Sequence, residues 1–306
     1  MRRILLWMAG NRWLKEHLPR LWITRRALRR FMPGEDVADA LAAGARYEAQ
    51  GIVPLYTRLG ENLTDAREAD GTADHYLDAL GRIAASGSGG ELSVKVTQLG
   101  FELDPARAQA HLERLAERSR QLERDLWIDM EGSALVEGTI ALYARLKVDH
   151  PNVGLCLQSY LRRTAGDIQR LLPTGPRIRL VKGAYAEPAS IAFRDHFEID
   201  ANYATLSVVL LRAIAEGRPV RLGLGTHDVR LVELVSGHAA ALGLPRTSFE
   251  VQMLYGIRAD EQRRLVSEGY AVRALIAYGP AWYAWYMRRL AERPANVLFA
   301  LRQALP

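Results

Sequence analysis

Eight short apolar runs, each followed by a stretch of helical periodicity, predict an α/β fold. Its strands are parallel and close into a (β/α)8 barrel of the TIM type. Strands and helices alternate along the whole chain, and eight is the number of strands that closes such a barrel. An open doubly wound sheet is the alternative, but no Gly-x-Gly-x-x-Gly follows the first run. The organisation read from this is a helical N-terminal arm over 1–50 and one catalytic barrel over 51–306.

Val37, Leu41, Ala45 and Tyr47 predict a helix over 35–50 that Gly51 stops. The first strand follows at 52–58, then a helix over 74–85, a Gly/Ser stretch at 86–90 and a second strand at 92–96. Asp104 and Pro105 open a helix running to about 124, as an N-cap followed by Pro at N1 should. Strand three is placed at 126–130 with a helix to about 148, and strand four at 153–160. Thr164, with Asp167 three residues on, resembles a capping box that starts a short helix. Strand five, 177–181, precedes a helix centred on 206–215, and strand six, 219–225, precedes one over 228–242. Strand seven at 248–254 and strand eight at 270–277 enclose a helix over 259–268, and Gly279-Pro280 begins a last helix to about 292.

The 306 residues, 49% hydrophobic and 25% charged, suit a globular domain with a substantial core. The formal charge of +6 is arginine-driven, since lysine occurs only at 15, 95, 147 and 182. These arginines are scattered, with no aromatic-interleaved basic repeat, which argues against nucleic acid and leaves anionic ligands or an anionic membrane surface. In the arm, Trp7, Trp13, Trp22, Leu14, Leu18 and Leu21 alternate with arginines and Lys15. That pattern fits a basic amphipathic helix on a membrane surface or, more commonly, a helix packed on its own domain. No run reaches the ~20 apolar residues that span a bilayer, and no signal peptide is evident. The single cysteine, Cys156, lies in an apolar run, reads as a small buried hydrophobe and points to a reducing compartment, hence a cytoplasmic location.

Active sites of such barrels lie at the C-terminal ends of the strands. The polar residues placed there are Lys95, Asp129, Gln158, Arg179 with Lys182, Thr226-His227, and Glu250 with Gln252, joined by Arg288-Arg289 on the last helix. Each has a plain structural reading: Asp129 as a helix cap, His227 as a core histidine, Arg288 as a solvated face. Their collection on six strand ends is what points to a ligand. No metal-ligand spacing and no nucleophile elbow is present, while the cationic excess suits a carboxylate and a phosphorylated cofactor. A Schiff-base lyase acting through Lys95 or Lys182 is a second enzyme class open at this level, and a ligand-binding barrel without turnover is the non-enzyme alternative.

Several stretches resemble the proline dehydrogenases: Leu92-Ser93-Val94-Lys95, Gln158-Ser159-Tyr160-Leu161, Arg179-Leu180-Val181-Lys182-Gly183-Ala184-Tyr185, Gly225-Thr226-His227, and 249–256 (Phe-Glu-Val-Gln-Met-Leu-Tyr-Gly). Residues 282–296, with Arg288-Arg289 and Glu292-Arg293-Pro294-Ala295-Asn296, are similar to that family's C-terminal motif. The resemblance runs in order from about residue 30 to the C-terminus. It implies a distorted barrel with the last helix over its mouth, non-covalent FAD, and oxidation of L-proline to 1-pyrroline-5-carboxylate with electrons passed to a quinone. It further implies that Lys95, Arg288 and Arg289 hold the substrate carboxylate and that Arg179 lies near the flavin's reactive nitrogen. Asp129 would sit beside substrate and flavin, with Leu180, Ala184 and Tyr185 shaping the pocket. Met130, Gln158, Val181, Lys182, Gly183, Ala184, Thr226, His227 and Gln252 would contact FAD, and Glu292 would reach the cofactor or close the site through an ion pair. A lipid-soluble quinone gives the arm added weight as a peripheral contact on the inner membrane face. One departure stands out: the family's strand eight ends Tyr-x-Pro-Tyr-Gly, whereas this chain has Leu275 and Ala277 at the tyrosine and proline positions. Leu275 keeps apolar contact without the hydroxyl, which admits a hydroxylated or ring-substituted proline as the substrate.

Overall fold

The computed structural model describes residues 31–60, 63 and 65–283. Within them eight parallel strands run in chain order around a closed barrel, β1 pairing with both β2 and β8. The strands are β1 Ile52–Arg58, β2 Glu91–Lys95, β3 Leu126–Asp129, β4 Val153–Gln158, β5 Arg177–Val181, β6 Arg221–Gly225, β7 Glu250–Leu254 and β8 Ala271–Tyr278. Helix α1 (Val37–Glu48) precedes β1. Helices α2 Ala66–Ala85, α3 Pro105–Gln121, α4 Ser133–Asp149, α5 Thr164–Leu171, α6 His196–Ala215, α7 Val229–Ala241 and α8 Ala259–Ser267 follow β1 to β7 in turn. The Trp- and Arg-rich segment 1–30 and most of the expected last helix lie outside the described residues. Among the described helices, none is long and apolar enough to cross a membrane.

Strand alternation divides the core into two shells. Val94, Ile128, Leu155, Ile178, Leu222 and Val251 face the helices and are fully buried, each burial stabilising the fold by roughly 1.5–3 kcal/mol. Pro54 interrupts β1 at no cost to the β1–β2 ladder, which begins only at Leu55, paired with Glu91. The other face of the strands is not apolar. At the N-terminal floor of the barrel, Arg221 bonds Glu91 (3.0 Å) and Glu250 (2.6 Å) and also pairs with Asp125. Arg273 reaches Glu250 (2.9 Å) and Glu91 (3.3 Å), and Arg177 reaches Asp125 (2.8 Å). Burial raises the pKa of Asp125, with Glu91 adding to it. Burial also acts to raise that of Glu250, but Arg273 and Arg221 overcome it and hold the carboxyl below its ordinary value. Three arginines face three carboxylates, so the floor is neutral as a unit and no buried charge stands alone.

Three sequence expectations change. The helix after β1 begins at Ala66, eight positions before 74, because Asp65 caps it by accepting the Arg67 N–H (2.9 Å). Its polar first turns hide a buried face of Ala69, Thr72 and Ala73. Thr164 and Asp167 do not form a capping box: the Thr164 hydroxyl donates back to the Gln158 carbonyl (2.6 Å), and Asp167 accepts from Arg163 and Arg170. Glu250 stands at the start of β7, in the floor rather than at the mouth.

Above the floor, Trp127 fills the barrel, its indole N–H donating to Glu91 (2.7 Å). It stacks with Arg179 and Arg221, whose guanidinium carbons lie 4.8 and 5.1 Å from its ring centroid. Gly154 on β4 makes the room, since a Cβ there would fall 2.6 Å from the indole. Replacing Gly154 by Ala should therefore lower stability by about 1–3 kcal/mol through overpacking, read from urea or thermal unfolding; an unchanged midpoint would show that the indole has space to yield.

Candidate active site

The centre of the barrel is the Arg179 guanidinium, 4% exposed and carried inward on β5. Its Nη1 donates to Asp129 Oδ1 (2.7 Å) on β3 and to Ser93 Oγ (2.8 Å) on β2, while Ser93 donates to the same Asp129 oxygen (2.8 Å). Its Nε donates to Gln252 Oε1 (2.6 Å) on β7. Four strands thus converge on one cation, and the charge-assisted bonds to it are the strong kind. Asp129 is not a helix cap: the N-cap of α4 is Gly132, which offers no side-chain cap, and Glu187 accepts the Ser133 N–H (2.8 Å) and hydroxyl (2.6 Å) instead.

Lys95 ends β2 in register with Asp129 on β3, so cation and carboxylate stand side by side at the mouth. The turn after β2 is pinned to the turn after β3: buried Glu131 accepts the Thr97 N–H (3.2 Å) and hydroxyl (2.7 Å). Gln158 on β4 donates to the carbonyls of Met130 and Glu131 (3.4 Å each). On the opposite wall Leu275 is half-buried on the face of β8 that carries Arg273 inward. Its Cα partners are Leu55 on β1 and Leu254 on β7. Leu254 and Leu275, both half-buried, thus set an aliphatic patch across from these polar groups.

The turn leaving β5 follows from Gly183, whose φ of 113° and approach to Tyr160 (a Cβ would lie 2.1 Å from that ring) exclude any side chain. Lys182 turns away from Arg179 to pair with Asp200 (2.5 Å) and Asp228 (3.3 Å). It is engaged with two carboxylates rather than presented as a nucleophile, which weakens the Schiff-base reading for this lysine. Thr226 accepts the Asp228 N–H (3.1 Å), and His227 Nε2 accepts the Leu254 N–H (3.3 Å), so a neutral ring carries its proton on Nδ1. Val181 shares the inward face of β5 with Arg179, both approached by a Cβ built on Gly225. Leu180, on the opposite face, is buried against the helices with Tyr203 donating to its carbonyl (3.1 Å), so its side chain does not line the mouth. Ala184 and Tyr185 are exposed on the loop, Tyr185 lying over Gly132. Arg288, Arg289 and Glu292 lie outside the described residues.

Whether these residues fit a flavin is tested by their unused polar atoms. Arg179 Nη2 and Gln158 Oε1 are buried with no hydrogen-bond partner among the described residues. Orphaned groups of this kind are costly unless a ligand completes them. One is a donor and the other an acceptor, matching a planar ring whose edge alternates carbonyl oxygens with an N–H. Cys156 on β4 offers no alternative chemistry, because burial pushes its thiol up to about 12. Trp127, which with Ser93 completes the Arg179 environment, carried no sequence signal beyond inward parity, and Ser93 was marked only as part of the stretch 92–95. Asp129→Ala would strand the Arg179 charge and should cost about 3–5 kcal/mol. Asp129→Asn, keeping an acceptor oxygen, should cost less, and equal losses in denaturant unfolding would contradict the pairing.

The sequence model of the proline dehydrogenase family matches residues 40–302. Proline dehydrogenase 1 of Bacillus subtilis (strain 168) is 33% identical over 305 residues, covering 100% of this chain and 99% of the relative. Proline dehydrogenase of Deinococcus radiodurans is 34% identical over 281 residues, 90% of this chain and 89% of that protein. In structure, proline utilization A (PutA) from Bdellovibrio bacteriovorus inactivated by N-propargylglycine superposes with a TM-score of 0.82 at 20% identity, over 95% of this chain and 38% of that one, a likeness of fold. With its barrel, the polar ring around Arg179 and full-length similarity to two such enzymes, the chain belongs to the proline dehydrogenase family.

Proposed function

We propose that the chain oxidises L-proline to 1-pyrroline-5-carboxylate with FAD bound in the barrel mouth and a quinone as the final electron acceptor. The observation that supports the cofactor is the buried Nη2 of Arg179, unpartnered among the described residues, beside its three satisfied hydrogen bonds. FAD, when bound, supplies the hydride acceptor. Lys95 offers an ammonium to the substrate carboxylate, and Arg288 and Arg289 are the two further cations assigned to it. Leu254 and Leu275, both half-buried on the inward face, receive the ring methylenes, which excludes water from the reacting carbon. Loss of a hydride from the ring carbon next to nitrogen, and of one proton from the amine, leaves the C=N bond of the product. Asp129 stays paired with Arg179 and adds no net charge to the site, while Arg179 directs its remaining N–H toward the cofactor.

A second reading, the same reaction on a hydroxylated or ring-substituted proline, is favoured by Leu275, which faces inward where a tyrosine hydroxyl is otherwise expected. Two experiments separate the readings. The FAD-loaded chain with a water-soluble quinone should reduce one quinone per L-proline consumed; no turnover with L-proline, but turnover with 4-hydroxyproline, would select the second reading. Leu275→Tyr should raise kcat/KM on L-proline by about three- to tenfold, the worth of one hydrogen bond of roughly 0.5–1.5 kcal/mol. A loss of activity on every proline tested would overturn the idea that Leu275 reshapes the pocket for a substituted proline.

A further inference from the structure

Arg179 presents five N–H donors, and their partners are unequal. Nη1 is held by Ser93 and Asp129, and the guanidinium lies against the Trp127 ring. Nε is held by Gln252, whose side-chain amide could in principle face either way. It has one workable orientation here, because Gln252 Nε2 donates to Glu250 Oε2 (3.1 Å). A flipped amide would set NH2 against the Arg179 N–H and its oxygen against the Glu250 carboxylate. Glu250 is itself locked by Arg221 (2.6 Å) and Arg273 (2.9 Å) in the barrel floor.

We propose that Gln252 and Glu250 are positioning residues that transmit the geometry of the ionic floor to Arg179, fixing the one direction in which its unpartnered Nη2 points. Fixing Nε and Nη1 of a planar fork determines where the third nitrogen lies. The relay passes through a neutral amide, so the Glu250 carboxylate is kept one residue away and adds no second negative charge to the Arg179–Asp129 pair. This inference rests on the FAD reading above and assigns these two residues to tuning the bound cofactor rather than to stability alone.

The test is the midpoint potential of the FAD-loaded full-length chain, measured with its FAD dissociation constant. Gln252→Met frees the guanidinium and should weaken stabilisation of the reduced flavin tenfold, a fall of about 30 mV for a two-electron couple. The fall should be absent when the same change is made on an Arg179→Met background, since the relay acts only through that side chain. An unshifted potential in Gln252→Met, or an undiminished further fall on the Arg179→Met background, overturns the relay. Should Gln252→Met fail to fold, Gln252→Glu carries the test: it keeps an oxygen on Arg179 but brings in a negative charge, so the potential must again fall, and an unchanged value overturns the proposal. A wild-type chain that takes up no FAD overturns the parent reading and the relay together, whereas a yellow wild type with an unshifted variant overturns the relay alone.

Discussion

A guanidinium buried at the centre of the barrel constrains everything around it. Arg179 cannot lie there unpaired, so β3 supplies Asp129, β2 supplies Ser93, β7 supplies Gln252, and the Trp127 face covers its plane. Each of these needs support in turn. Trp127 requires a glycine opposite and an acceptor for its indole N–H, and that acceptor, Glu91, belongs to the floor with Arg221 and Arg273. What would be a greasy interior in many barrels is here a polar column of paired arginines and carboxylates. Swapping such a column for packed hydrocarbon is often neutral or stabilising, so its presence argues for a use other than stability.

That use follows from where the column ends. Its uppermost groups, Lys95, Asp129, Arg179 and Gln158, open on the mouth, while Leu254 on β7 and Leu275 on β8 stand across from them. A small cyclic amino acid offers the complementary halves, a carboxylate and a run of methylenes. The turns that frame the mouth are laced by carboxylates acting as caps, Glu131 on Thr97 and Glu187 on Ser133. The site is therefore set on strand ends whose relative positions are held by hydrogen bonds rather than by loop packing alone.

Much of this was legible in the sequence, and the reasons for the rest are local. The barrel was readable because eight apolar runs alternate with helical periodicity, and Arg179 with Lys182 because residues three apart on a strand fall on opposite faces. The same parity, applied to Leu180, turns it toward the helices, although the resemblance had placed it at the pocket. Glu250 was misplaced because an apolar run does not mark its own first residue. Asp129 and Lys95 were found as polar residues at strand ends, whereas Trp127 was not, since a tryptophan in a strand has an ordinary explanation, and Ser93 entered only within the stretch 92–95. Thr164 shows the limit of motif spacing: its hydroxyl found a nearer partner in the Gln158 carbonyl.

Arg179 and its neighbours are proposed as the site of proline oxidation, with a flavin as hydride acceptor. Anaerobic addition of L-proline to the FAD-loaded chain measures this most directly, by the visible absorbance of the bound flavin. The absorbance should bleach in a single turnover, and replacing Arg179 by Met should slow the bleaching strongly. A chain that binds no FAD, or one whose bound flavin keeps its spectrum under L-proline and its ring-substituted analogues alike, would contradict it.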